Sequence, residues 1–219
     1  MCTTRAASLG SSAGNAESTT SHKQSPRKPL QAQVSLTPAV PEPVYATLQN
    51  SSAVQGLGTD KRWSDIGSAH YDAISPNGRE LLVGNIDTGA VYLLETATGR
   101  KRVTFKLGQP TQAVKITPDG TRRLAIVPGA GIAAVLDLKA GKLIKNIKVG
   151  KTPHNAKFSA DGSTAYVTLQ GGGAIATIDM ESLQKTDEIP VAGMAQPHNF
   201  DLSADGKRFE YATSSGIWR

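Results

Sequence analysis

One four-residue signal recurs along this chain at nearly constant spacing: Ser75-Pro76-Asn77-Gly78, Thr117-Pro118-Asp119-Gly120, Ser159-Ala160-Asp161-Gly162 and Ser203-Ala204-Asp205-Gly206. Successive copies begin 42, 42 and 44 residues apart. Asn-Gly and Asp-Gly supply the positive-φ residue that a tight turn needs, so the same turn is expected at the same place in each copy. Short alternating or apolar runs flank every turn. In the clearest copy, from His154 to Gly193, they are His154 to Phe158, Ala165 to Leu169, Ala174 to Asp179 and Thr186 to Val191. Four strands in about forty residues, punctuated by Gly and Asp, describe one blade of a β-propeller.

The other copies follow the same plan. Second strands are expected at Glu80 to Val83, Arg123 to Val127 and Phe209 to Thr213, and third strands at Val91 to Glu95 and Ala133 to Leu138. Outer strands are expected at Arg102 to Leu107 and Leu143 to Val149. A degraded earlier copy is visible because Val44-Tyr45-Ala46-Thr47-Leu48-Gln49 echoes Ala165 to Gln170. Its turn, Ala39-Val40-Pro41, lacks Asp-Gly. The fold class is therefore all-β, a propeller of four-stranded antiparallel blades. Repeats are expected at 32–67, 68–108, 109–150 and 151–193, with a partial copy at 194–219 that has its first two strands only. Four to four and a half blades suggest a partial ring, a piece of a larger propeller whose open ends invite self-association; the alternative is a small ring closed by the last half blade pairing with the N-terminal strands.

Residues 1–31 are polar, small and aperiodic, and are expected to be a disordered tail rich in Ser, Thr, Ala and Gly. They lack the apolar core of a secretory signal. Cys2, the single cysteine, excludes an internal disulfide. Followed by a small-residue tether, it also resembles the lipid-anchored end of a bacterial lipoprotein, although an ordinary disordered N-terminus is the preferred reading. No run of eighteen apolar residues exists, so no transmembrane helix is expected. The net charge of +6 is spread through the repeats and aromatic residues are 5%, which argues for a solvated surface and against nucleic acid.

The repeats resemble the YVTN family of β-propellers. The carriers are Thr152-Pro153-His154, Ser159-Ala160-Asp161-Gly162, Ala165-Tyr166-Val167-Thr168 and Ala176-Thr177-Ile178-Asp179, with weaker echoes in Val135-Leu136-Asp137 and Val91 to Glu95. Leu169-Gln170 stands where Asn usually follows Tyr-Val-Thr. The resemblance implies a periplasmic or cell-surface protein and kinship with the d1-haem domains of cytochrome cd1 nitrite reductase. It is specific for fold, not for activity.

The first strand of a blade lines the central channel. Its opening position, five residues before the Ser or Thr of the turn, holds His70, Gln112, His154 and His198. Three of the four histidines thus share one structural position. Imidazoles meeting there suit a ligand, a transition metal or a haem, with His70, His154 and His198 as candidate metal ligands. Asn155 and Asn199 follow as further candidate ligand contacts, with Tyr71 and Asp72 beside them. The alternative is that each histidine only caps a strand end. No catalytic residue stands out. There is no Gly-x-Ser-x-Gly elbow, and Gly171-Gly172-Gly173 has neither the Lys-Ser/Thr nor the helix of a phosphate cradle. Asp119, Asp161 and Asp205 read as turn formers, and Asp137 and Asp179 as carboxylates closing third strands. The expected function is a noncatalytic extracytoplasmic binding or scaffold propeller. The alternative is a haem d1- or metal-binding propeller, and a calcium-dependent hydrolase is weaker because no ring of carboxylates is evident.

Overall fold

The turns come first because they set the register of everything else. In Ser159 to Thr164 the Ser159 hydroxyl donates to Asp161 at 2.6 Å and accepts from the Thr164 amide at 3.0 Å. Asp161 accepts from the Ser163 amide, and the Gly162 amide closes on the Ser159 carbonyl at 2.9 Å. The Thr117 copy repeats these bonds residue for residue. Gly78, Gly120, Gly162 and Gly206 all have φ between 68° and 74°, a region that costs an L-residue about 1–2 kcal/mol.

A computed structural model describes residues 44–191, 196–203, 205–213 and 216–218, the last three for their backbone. The expected tail, Cys2, the start of the 32–67 repeat and the Ala39-Val40-Pro41 turn lie outside the described residues, as does the 193/194 repeat boundary. The described residues form five antiparallel sheets and no α-helix. The first sheet contains β1 (Val44–Leu48), β2 (Ala53–Leu57) and β3 (Arg62–Trp63). The second contains β4 (Ala69–Ile74), β5 (Glu80–Asn85), β6 (Ala90–Glu95) and β7 (Lys101–Lys106). The third contains β8 (Ala113–Ile116), β9 (Arg123–Val127), β10 (Ile132–Asp137) and β11 (Lys142–Lys148). The fourth contains β12 (Pro153–Phe158), β13 (Thr164–Leu169), β14 (Ala174–Asp179) and β15 (Gln184–Pro190). The fifth contains β16 (Phe200–Leu202), β17 (Phe209–Thr213) and β18 (Gly216–Trp218).

β18 corrects an expectation. The last copy was expected to hold two strands, yet Gly216–Trp218 pairs with β17 in the register Tyr211 with Trp218 and Thr213 with Gly216. A glycine at the start of a strand does not stop pairing, and Ile-Trp favours the extended chain.

Strand order within each sheet follows the sequence, with each inner strand packed beside the inner strand of the next sheet: β4 on β8, β8 on β12, β12 on β16. The middle strands are buried on both faces. In β5, Leu81 and Val83 pack toward the first sheet with Val54 and Ile66, while Leu82 packs toward the third with Val114 and Leu136. All three are at most 1% exposed, which explains why this strand lacks polar alternation. The interface between the third and fourth sheets repeats the pattern, Ile126 and Val135 meeting Val167 and Ile178. The third and fourth strands carry a register shift at Leu93/Leu94, Val135/Leu136 and Thr177/Ile178, the same repeat position three times. A bulge there increases the twist of each blade. The outer strand β11 is mostly exposed, with Lys142, Lys145 and Lys148 along it, a composition that discourages edge-to-edge pairing. The molecule is a β-propeller in which four-stranded antiparallel blades pack side by side about an axis lined by β4, β8, β12 and β16.

Candidate functional site

The structure brings the four opening residues together at one level of the axis. His70 lies in β4 and His154 in β12; Gln112 and His198 stand just ahead of β8 and β16. The Gln112 Nε2 lies 2.9 Å from His70 Nε2 and 3.1 Å from His154 Nε2. The rings of His154 and His198 are 3.5 Å apart between centroids, tilted by 41°. The backbone that holds these residues is pinned by threonines of the preceding blade. Thr47 Oγ1 donates to the His70 carbonyl at 2.9 Å, and Thr168 Oγ1 to the His198 carbonyl at 3.0 Å. Thr168 Oγ1 also accepts from the Asn155 amide at 3.0 Å, where the β12–β13 register shifts between Pro153 and Ala156.

This network assigns the tautomers. An amide NH2 has two hydrogens, so Gln112 can donate to both rings only if each presents a bare Nε2 and carries its proton on Nδ1. His70 Nδ1 then donates to Gln49 Oε1 at 2.9 Å. His154 Nδ1 is buried without a hydrogen-bond partner. Burial is the main force holding the His154 pKa down to about 4, helped by His198 and His70; the nearby His198 backbone opposes it. Burial and then His198 push His70 down as well. His154 is therefore neutral at physiological pH, a donor-acceptor group.

One residue further along the inner strands, Asn199 Oδ1 accepts from Tyr71 Oη at 2.8 Å and from Asn155 Nδ2 at 2.9 Å. The first of these bonds joins the second blade to the fifth across the axis. A hollow of about 240 Å³ opens beside the imidazoles, lined by Gln170, Gln196, His198, Ala212 and Thr213.

All six expected ligand contacts, His70, Gln112, His154, Asn155, His198 and Asn199, thus fall in one connected cluster. The expected convergence on a metal has a different geometry. Gln112 stands between His70 and His154, and His154 stacks on His198. Among the described residues no three His, Cys, Asp or Glu side chains are arranged to hold a metal ion. The turn and strand-end carboxylates are structural: Asp137 accepts from the Ala140 amide and Asp179 from the Ser182 amide.

Sequence reasoning missed Thr47, Thr168, Gln49 and Gln170. The signal was present, since Tyr-x-Thr-Leu-Gln occurs at Tyr45 to Gln49 and again at Tyr166 to Gln170, each ahead of an opening histidine. It also missed a charged level deeper on the axis. There Lys115 sits over the Tyr71 ring at 5.3 Å and Lys157 pairs with Asp201 at 3.1 Å. Asp72 feels the charge of Lys115; burial raises its pKa to about 6 against the pull of that lysine.

No protein-family model matches the chain, and no curated protein does. Among solved structures it is similar to a chain of Kuenenia stuttgartiensis hydrazine synthase, a β-propeller-containing protein, with a TM-score of 0.63 and 28% identity over 71% of this chain. The match spans 44% of that chain's length. No helix among the described residues is long and apolar enough to cross a membrane.

Proposed function

We propose that this chain is a noncatalytic, extracytoplasmic β-propeller binding or scaffold protein of the YVTN type, taking its ligand at the level of His70, Gln112, His154 and His198. The observation that carries the reading is the continuous array itself: three imidazoles and an amide joined by hydrogen bonds and a ring stack, open on one side to the hollow beside His198. Imidazoles and amides in such a setting select a polar ligand with both donor and acceptor atoms. The extracytoplasmic placement and a lipid anchor at Cys2 rest on the repeat resemblance and the tail composition.

The second reading, a haem- or metal-binding propeller, is favoured by the three imidazoles on one level. Two titrations separate the readings. N-methylacetamide, a minimal amide probe, is expected to move the ring proton signals of His154 and His198 saturably. Unmoved signals would overturn the binding site. Haemin and Ni2+ are expected to show no stoichiometric uptake. A one-to-one Soret band or metal isotherm that disappears in the His154→Ala/His198→Ala double variant would replace the first reading with the second.

A further inference from the structure

Three residues beyond the imidazole level, about 10 Å along the inner strands, the axis changes character from amide and imidazole to lysine and carboxylate. Lys115, Lys157 and Asp201 occupy one repeat position on β8, β12 and β16. β4 has Ala73 at that position, and its neighbour Asp72 supplies the carboxylate on a strand whose register shifts between Ala69 and Tyr71. Lys157 and Asp201 satisfy each other. Lys115 and Asp72 do not. Each feels the other's charge, but among the described residues no ion pair joins them, and Asp72 Oδ2 is buried without a hydrogen-bond partner. Lys115 is further crowded by the like charge of Lys157. Both residues are half-buried, and a partly desolvated cation and anion held apart are costly unless something bridges them. The Asp201 side chain is 70% exposed and that of Lys157 36%, so this level is open to solvent. The Tyr71–Asn199–Asn155 bonds lie between it and the imidazoles.

We propose that this charged level is a second binding site, separate from the imidazole cluster, for a small zwitterion whose anionic end is held by Lys115 and Lys157 and whose donor end is held by Asp72. An anion alone would leave Asp72 unmatched and add repulsion; a cation alone would do the same to Lys115. A molecule carrying both charges relieves both ends at once and brings no net charge into the channel.

The test uses β-alanine, acetate and methylammonium as probes, each titrated into the full chain while the ε-methylene signals of Lys115 are followed by NMR. β-Alanine is expected to saturate these signals, with an affinity at least tenfold above that of acetate or methylammonium. Lys115→Met and Asp72→Asn are each expected to weaken it at least tenfold, and His154→Ala to leave it unchanged. If Lys115→Met does not fold, as judged by circular dichroism, Lys115→Gln and the near-isosteric Asp72→Asn carry the test. The proposal is overturned by acetate binding as tightly as β-alanine with Asp72→Asn without effect, which would make this an anion site only. It is equally overturned by no saturable shift with any probe, which would leave a solvated pair.

Discussion

At His154 a buried imidazole meets a second imidazole and an amide, and the consequence is a definite pH profile. Its folded pKa, about 4, lies below the unfolded value near 6.5. Below pH 6.5 the unfolded chain takes up a proton that the folded ring refuses, so this contribution is complete above that pH and is lost as the pH falls toward 4. The full effect is on the order of 3 kcal/mol. Asp72 works the other way: its folded pKa is raised to about 6, so its contribution declines as the pH rises from about 4 to 6. Urea denaturation between pH 4 and 7 is therefore expected to show a net slope set by both groups, and His154→Asn is expected to flatten or invert it. The turn residues make a second prediction. Gly162→Ala places a Cβ at φ +74° and 3.2 Å from Pro118 Cδ, and is expected to lower stability by about 1–2 kcal/mol, read from the denaturation midpoint. Asp119 and Asp161 are held at about 2 by hydrogen bonds from their own turns, first from Thr117 and Ser159. The share of stability they add is retained above pH 4 and disappears as the pH falls through 2. These turn roles were legible in sequence because every bond in them spans five residues or fewer. The setting of Asp72 was not, because Lys115, the cation whose charge it feels, is on another blade.

The strands divide into those that carry the packing and those that shield it. β5, β9 and β13 are sandwiched between neighbouring blades, so a truncation in any of them opens a cavity that neither side can fill. Leu82→Ala and Ile126→Ala are each expected to cost about 2–5 kcal/mol in urea denaturation. Leu143→Ser, on the exposed outer strand β11, is expected to stay within about 0.5 kcal/mol. The strand plan was readable from turn spacing and apolar runs, and the observed ends fall within about two residues of those expected for the outer strands. What spacing could not convey were the shifts in β4 and β12. His154 and Asn155 lie within the β12 shift and are both buried, at 6% and 5% exposure. That shift also creates the place for the Thr168 hydroxyl as a ladder substitute.

At the level of the whole molecule, the aligned histidines were visible as a fixed offset in the repeat, and that alignment did place them on one axis. Their mutual geometry depends on how closely neighbouring blades approach. Gly84 shows how close this is: an added Cβ would lie 3.2 Å from both Thr111 and Val114 of the next blade. The bond from Tyr71 to Asn199 measures the same closeness across the axis. Tyr71→Phe and Asn199→Ala are each expected to cost about 1 kcal/mol and to be non-additive, with a coupling energy of at least about 0.5 kcal/mol in a double-mutant cycle. Full additivity would show that the second and fifth blades are not energetically linked.

That same bond has a kinetic corollary. Every sheet here is assembled from consecutive hairpins, so nearly all pairing can form between residues close in the chain, quickly and in any order. Tyr71 and Asn199 are 128 residues apart, and joining them requires the intervening blades to be in place. The hub of the propeller is thus the last part to be completed as the chain folds, and the first to report when any blade between those two residues has failed to form.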